Sequence, residues 1–362
     1  MAFGLSLGKL FGGDAKPFGS AGAIGVDFGT SSIKVVQLRD LRGIPTLLTY
    51  GELQLGPFEG IDIGRVTHLP PDKQAEALTS ILKEAGTSGT EVAFSISSNA
   101  SFLSTLMIPT ADADKVGAMV PVEARKYVPL SLSKVTLDWV PLGTAEKEHV
   151  THVLLSAIFN EAMEWYAKTF QTAQLTPVAQ EIEVFSAVRS VLSPKDEVVA
   201  LIDLGASSAR LCIVVKGVMH KTHTIPLSGA DITAALADEL SIEFEAAEAA
   251  KRTYGLQGNP QDPRIQKIIL GHIERGMREF HTVIKRYEDV EKAKVEKVIV
   301  TGGGALLRGL PAYTHDMFSM PVFVADPFSK VSYPSFLAAT LAESGASFAV
   351  ALGAALRAYR KE

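Results

Sequence analysis

Two short segments of the chain combine an aspartate, a glycine turn and small hydroxyl side chains. The first runs Ile24-Gly25-Val26-Asp27-Phe28-Gly29-Thr30-Ser31-Ser32, and the second runs Leu201-Ile202-Asp203-Leu204-Gly205-Ala206-Ser207-Ser208. Glycine in such a turn permits a positive φ and lets the backbone approach a ligand closely. Amides of the turn can then point at phosphate oxygens, and hydroxyl groups add donors. The pattern predicts phosphate-binding residues at Gly29, Thr30, Ser31 and Ser32, and at Gly205, Ala206, Ser207 and Ser208.

The two aspartates suit a metal ion better than a phosphate, because both are anions. Asp27 and Asp203 would hold Mg²⁺ most readily through its waters, which this ion gives up reluctantly. Lys34, further along the strand that follows the first turn, would add positive charge. A single Asp-x-Gly turn is common in hairpins that bind nothing. Two near copies in matching positions make the phosphate interpretation much stronger than either copy alone.

Two further features suit a nucleoside. An apolar strand, Val298–Val300, runs through Thr301 into Gly302, Gly303 and Gly304. These glycines leave open backbone on which a base or a ribose can lie, although they could equally form a tight turn. Glu248 and Lys251 share one face of a predicted helix at i,i+3 spacing. They could meet the adenosine, but a pair on the surface is the default interpretation for an isolated instance.

Composition sets the broad class of the protein. The chain has 362 residues, of which 47% are hydrophobic and 21% charged, as in ordinary globular proteins. Its net charge of −5 gives no reason to expect nucleic acid as a partner. The single cysteine, Cys212, lies in an apolar run and allows no disulfide within the chain, which fits a reducing cytoplasm.

No segment has the pattern of a targeting signal or a membrane span. The N-terminus lacks basic residues before its short apolar part, so it does not resemble a signal peptide. The most apolar stretch, Phe336–Tyr359, contains Glu343 and is diluted by Ser344–Ser347. A spanning helix needs about 20 predominantly apolar residues. We therefore expect this stretch to be a buried helix.

The elements that position these motifs are repeated in two halves. Each aspartate motif lies between two predicted strands at the start of its half, and a polar break at Ser193–Asp196 separates the halves. Such internal repetition predicts two lobes of similar topology that face one another.

In this order the motifs resemble the actin-like ATPase superfamily. That superfamily has a first phosphate loop, a connecting helix, a second phosphate loop, an adenosine loop and a second connecting helix. Here these fall at Asp27–Ser32, Glu183–Val191, Asp203–Ser208, Gly302–Gly304 and Phe348–Leu356. Small residues in the last helix, Ala351 and Gly353–Ala355, would allow a close crossing beneath the cleft.

A narrower resemblance rests on more specific segments. The chain is similar to the PilM family of type IV pilus assembly proteins, which is related to FtsA. The segments that carry this similarity are Gly25–Leu38, Glu123–Leu130, Leu137–Trp139, Ala173–Val178, Ile182–Ala187, Phe244–Lys251 and Thr301–Gly304. Of these, the tyrosine-proline segment around Tyr127 and Pro129 is the most specific to the family.

The resemblance implies an α/β, actin-like (ribonuclease-H-like) fold with two duplicated lobes and an FtsA/PilM-type insertion in the first. A flexible tail would cover residues 1–22. The first lobe would cover 23–192, with an inserted subdomain at about 91–174. The second lobe would cover 193–346, with an insertion at about 230–290. The C-terminal helix, 347–362, would return to the first lobe.

The resemblance also implies a function. Family members bind ATP and Mg²⁺ in the cleft. They sit on the cytoplasmic face of the inner membrane, and they grip the cytoplasmic N-terminal tail of PilN in a groove between the first lobe and its insertion. Other pilus assembly proteins, or a second copy of the chain, are further candidate partners. The start of this chain is longer, richer in glycine and less basic than is usual in the family.

Two alternatives remain open at this stage. A small-substrate kinase of the same fold would need a carboxylate base near the terminal phosphate, for which Glu181 and Glu183 are weak candidates. An FtsA-like cell-division protein would carry an amphipathic C-terminal helix after a linker, whereas this sequence ends at Glu362. Since no water-activating base can be named, we expect ATP binding with slow hydrolysis or none.

Overall fold

The computed structural model describes residues 22–145, 149–193 and 195–359. The expected tail therefore lies outside the described residues, apart from Gly22. The strands are β1 (Ala23–Phe28), β2 (Ser32–Leu41), β3 (Ile44–Gln54), β4 (Glu91–Ile96), β5 (Ser101–Ile108), β6 (Val135–Ala145), β7 (Val150–Phe159), β8 (Thr176–Ile182), β9 (Val198–Leu204), β10 (Ala209–Val215), β11 (Val218–Ile225), β12 (Lys297–Thr301) and β13 (Val322–Val324). The helices are α1 (Gly56–Glu59), α2 (Pro71–Glu84), α3 (Ala113–Ala124), α4 (Asn160–Thr172), α5 (Glu183–Val191), α6 (Gly229–Leu240), α7 (Phe244–Tyr254), α8 (Arg264–Glu291), α9 (Leu310–Phe318), α10 (Ala338–Ser344) and α11 (Ala349–Leu356).

Two five-stranded sheets repeat one topology. The first has the order β3-β2-β1-β4-β8 and the second has the order β11-β10-β9-β12-β13. In each, three antiparallel strands are followed by two that pair in parallel. The aspartate motifs lie at the ends of the equivalent central strands, β1 and β9. The predicted duplication of an α/β unit is therefore confirmed.

A separate three-stranded sheet has the order β5-β7-β6. Its strands lie between β4 and β8 in the sequence. Alternate residues of β7 face opposite sides, as strand geometry requires. Val153 and Leu155 pack in the core beneath α3, whereas Leu154 packs with the core of the second sheet and Ile158 with that of the first. The small sheet is thus seated against both larger units. Strand β4 belongs to the first large sheet rather than to this one.

The C-terminal helix α11 crosses under the cleft. All residues from Ala349 to Ala355 are buried, and the helix packs against β1 and α5. A Cβ atom on Gly353 would overlap the carbonyl oxygen of Ser186, and one on Gly25 would overlap that of Ala351. The expected close crossing is therefore confirmed. The helical segments over Ser335–Tyr359 are long and apolar enough to cross a membrane, but in this fold α11 occupies the core.

Helices dominate the part of the second half between its antiparallel and parallel strands. Helices α6, α7 and α8 fill the range where an insertion was expected. The long helix α8 buries Ile269, Met277 and Phe280 in the same core as β9 and β10. This packing brings the start of α6 and the face of α7 to the wall of the cleft.

Candidate functional site

A cavity of about 470 Å³ lies between the two large sheets. Its lining brings together every predicted nucleotide and metal residue: Asp27, Gly29, Thr30, Ser31, Ser32, Lys34, Asp203, Gly205, Ala206, Ser207, Ser208, Glu248, Lys251, Gly302, Gly303 and Gly304. Of the two candidate bases, Glu183 lines the cavity, whereas Glu181 is not among its lining residues.

The glycines of the two turns lie close to a backbone carbonyl oxygen of the same turn. A Cβ atom on Gly29 would lie 2.6 Å from the carbonyl oxygen of Ser32, and one on Gly205 would lie 3.0 Å from that of Ser208. Neither glycine has a positive φ, so the close contact with backbone, and not a left-handed conformation, is what requires glycine at these two positions. Gly302 does have a positive φ, of 81°. A side chain there would also overlap Asp203 Oδ1.

The buried carboxylates of the cleft have raised pKa values. Burial raises the pKa of Asp27 to about 7, and the charges of Glu183 and Asp203 add to the rise, while Lys34 opposes it. Burial and the charge of Glu183 raise the pKa of Asp203 to about 6. Carboxylate oxygens are ligands that Mg²⁺ prefers. A divalent cation at this point would offset their mutual repulsion, so the donor set fits the ion.

The opposite part of the cleft carries Glu248 and Lys251. Lys251 Nζ lies 2.6 Å from Glu248 Oε2 and donates to the carbonyl oxygen of Gly229 at 2.8 Å. Arg252 Nε donates to Glu248 Oε1 at 2.6 Å. Glu248 is only 7% exposed. The pair therefore forms, but at the wall of the cleft rather than on an open surface. Apolar side chains of Leu227, Ile273 and Leu306 line the same cavity.

The two candidate bases have different surroundings. Glu181 is buried at the end of β8 and pairs with Arg189 and Arg357, and Ser186 also donates to it. Arg189 in turn donates to the carbonyl oxygen of Gly353 at 2.9 Å, which ties this network to α11. Glu183, the first residue of α5, faces the cleft instead. Its Oε1 accepts from Arg210 Nη1 at 2.7 Å.

Arg210 is a cleft residue that the sequence reasoning missed. It lies opposite Asp203 in the strand register, just as Lys34 lies opposite Asp27. In both halves the cation follows its aspartate by seven positions (27 to 34 and 203 to 210), so the duplication itself contained the signal.

Known structures share this architecture. A chain of a solved PilM–PilN type IV pilus biogenesis complex matches with a TM-score of 0.80 and 26% identity, covering 95% of this chain and 100% of that one. The MreB5 protein of Spiroplasma citri, solved with ADP, matches with a TM-score of 0.51 and 13% identity, covering 91% of this chain and 94% of that one. The fold is therefore the actin-like ATPase fold.

Sequence comparison is more specific. The chain is 22% identical over 316 residues to the cell division protein FtsA of Neisseria meningitidis serogroup B, covering 75% of this chain and 76% of FtsA. A family model described as type IV pilus assembly protein PilM matches residues 25–359. These matches favour neither the kinase nor the cell-division alternative. The chain belongs to the PilM family of type IV pilus assembly proteins.

Proposed function

We propose that this chain binds ATP with Mg²⁺ in the cleft and uses the bound state to support pilus assembly at the inner membrane. The observation that carries the nucleotide assignment is the convergence of both phosphate turns and the Gly302–Gly304 run on one cavity. The phosphates would lie between the turns, near Lys34. The adenosine would lie toward Gly302–Gly304, Glu248 and Lys251. Asp27 and Asp203 would hold the hydrated ion. The ADP bound to MreB5 supports this use of the shared fold.

Binding with slow turnover fits the two candidate bases. A general base must present a free carboxylate within hydrogen-bond reach of the attacking water. Glu181 is paired with Arg189 and Arg357 and does not line the cavity, so it does not meet this requirement. Glu183 lines the cavity and meets it only when Arg210 leaves it for another partner. We therefore infer that the nucleotide acts mainly as a ligand that stabilises one arrangement of the two large sheets.

The partner in this proposal is the cytoplasmic tail of a PilN-like inner-membrane protein. The solved complex that matches this chain contains PilN. The three-stranded sheet offers a docking edge, since β5 and β6 end the sheet and pair with no further strand among the described residues. Part of β5 is in contact with β11, where Thr105 Oγ1 donates to the carbonyl oxygen of His220 at 3.0 Å. An extended peptide can add to such an edge through main-chain hydrogen bonds, with pockets for alternate side chains. Exposed Met107 on β5 offers an apolar contact there. The chain would then reach the membrane through its partner.

Titration of a fluorescently labelled PilN-like tail peptide, with and without Mg-ATP, tests the partner assignment. We expect saturable binding that is at least about threefold tighter with Mg-ATP, a difference of about 0.65 kcal/mol or more. A scrambled peptide of the same composition is the control. No preference over the scrambled peptide would rule out the tail as the partner, and equal affinity in both conditions would rule out coupling to the nucleotide.

A further inference from the structure

We propose that Arg210 makes the cleft selective for a nucleoside triphosphate over a diphosphate, by exchanging its carboxylate partner for the terminal phosphate. This inference rests on the proposed nucleotide function. Its starting point is the strand register, in which Lys34 lies opposite Asp27 and Arg210 lies opposite Asp203. Each phosphate turn therefore has one cation beside its aspartate, and both cations line the cavity.

The two cations differ in what holds them. Lys34 Nζ stays within its own sheet, where it lies 2.7 Å from Ser32 Oγ and 3.3 Å from Glu52 Oε1. Arg210 pairs instead with a residue from the first half of the chain. Its Nη1 donates to Glu183 Oε1 at 2.7 Å, and Glu183 begins the helix that follows the last strand of the first sheet. The Arg210–Glu183 pair therefore connects the two halves of the chain inside the cavity that the phosphate turns line.

Arg210 is held loosely enough to change partner. Its Nε donates to Thr224 Oγ1 at 3.1 Å, which holds one edge of the guanidinium. Its Nη2 has no hydrogen-bond partner among the residues that the structure describes, so one arm of the guanidinium remains open. A guanidinium group can donate two parallel hydrogen bonds to a phosphate. In its pair with Glu183, Arg210 donates one hydrogen bond, to Oε1.

Glu183 competes with the terminal phosphate for Arg210. Its carboxylate is close enough to Asp27 and Asp203 to raise the pKa of both. A terminal phosphate would add negative charge to the part of the cleft that holds these three carboxylates. Arg210, on the second sheet, lines the same part of the cavity and would be drawn to that phosphate. A diphosphate is shorter by one phosphoryl group. It would be held by the turns and Lys34 while Arg210 stays paired with Glu183.

The test measures dissociation constants for fluorescent ATP and ADP analogues in excess Mg²⁺. The wild type should bind the ATP analogue more tightly than the ADP analogue. Arg210→Met should weaken ATP binding about tenfold, as expected for one charge-assisted hydrogen-bond pair, and change ADP binding less than about twofold. Arg210→Lys should keep a large part of the selectivity. Glu183→Gln, which removes the competing charge, should strengthen ATP binding several-fold.

Two further variants complete the experiment. Arg278→Met removes an arginine from an exposed pair with Glu274 that does not line the cleft, and it should change neither affinity. Because Arg210→Met alone leaves Glu183 without its partner, the double variant Glu183→Gln/Arg210→Met must show the same loss of selectivity. ADP binding reports in each case that the cleft is folded.

The outcomes separate this inference from the function beneath it. A wild type that binds neither analogue would overturn the nucleotide function and this inference together. A wild type that binds both, with the ATP-to-ADP ratio unchanged in the double variant, would overturn only the role of Arg210. Weaker ATP binding in Glu183→Gln would show that the two side chains do not compete.

Discussion

At the scale of single residues, the site is marked by charges whose burial is not compensated. Asp27 and Asp203 have raised pKa values because their carboxylates are desolvated and close to Glu183. Such groups cost folding free energy in the empty protein, and a bound cation offsets that cost. Their residue types and spacing were readable in the sequence. Their mutual proximity was not, because it depends on how the two sheets face each other.

Asp138 shows the same condition away from the cleft. It lies on β6, opposite Ser156 of β7, and burial raises its pKa to about 6. The backbone amide of Trp139 donates to its Oδ1 at 2.9 Å. Within the described residues, Asp138 Oδ2 and Ser156 Oγ are both buried without a hydrogen-bond partner. This carboxylate therefore opposes folding when it is ionised.

The substitution Asp138→Asn should stabilise the protein in a pH-dependent way. The folded pKa of about 6 exceeds the ordinary value of 3.8, so the folded state binds the proton more tightly, and wild-type stability falls as pH rises through this window. We expect a gain of about 1–2 kcal/mol in unfolding free energy at pH 8 and a smaller gain at pH 5. Chemical unfolding at both pH values measures the difference.

Asp112 provides the matched control for that experiment. It caps α3 from an exposed position, and its hydrogen bond with Lys115 holds its pKa below the ordinary value. Its titration therefore falls below pH 5, and Asp112→Asn should show no pH-dependent gain. An equal gain for Asp138→Asn at pH 5 and pH 8 would contradict the assignment of a raised pKa.

At the scale of elements, strands and helices with clear periodicity were predictable, but junctions were not. The sequence placed both Glu181 and Glu183 in the region of a base, because a strand ends and a helix begins between them. On either side of Ile182, Glu181 lies in an ion-pair network and Glu183 faces the cleft.

The insertion in the first lobe was expected to begin near residue 91, yet β4 pairs with β1 and β8. We propose the narrower range 101–159 for it.

The crossing of α11 over α5 makes a sharp prediction about small residues. A Cβ atom on Gly353 would overlap the Ser186 carbonyl oxygen, which is backbone and cannot rotate away. We expect Gly353→Ala to lower the unfolding free energy by about 3 kcal/mol through overpacking. Thermal unfolding measures this loss. The displaced helix lies beneath the cleft, so weaker nucleotide binding should accompany it.

Gly271 on α8 is the control for this substitution. A Cβ atom there would meet no atom within 4 Å, and alanine is the better helix former by up to about 1 kcal/mol. Gly271→Ala should therefore be neutral or stabilising. If Gly353→Ala were equally well tolerated, the close crossing would not be a constraint on the fold.

At the scale of the whole molecule, two copies of one sheet topology enclose a single cleft. This much followed from the sequence, because the near-identical segments around Asp27 and Asp203 had to occupy equivalent places. The seating of the three-stranded sheet did not follow. It depends on which of the alternating residues of β7 face α3 and which face the larger cores, as Leu155 and Leu154 do. That seating places the sheet edge on which we propose that the partner peptide binds.

The central claim is that the two aspartate turns together hold Mg-ATP in this cleft. Isothermal titration calorimetry of Mg-ATP into the wild type, Asp27→Ala and Asp203→Ala tests it most directly. We predict measurable binding by the wild type and a loss of at least about tenfold in affinity, or 1.4 kcal/mol, in each variant. Unchanged affinity in both variants would contradict the assignment of the cleft.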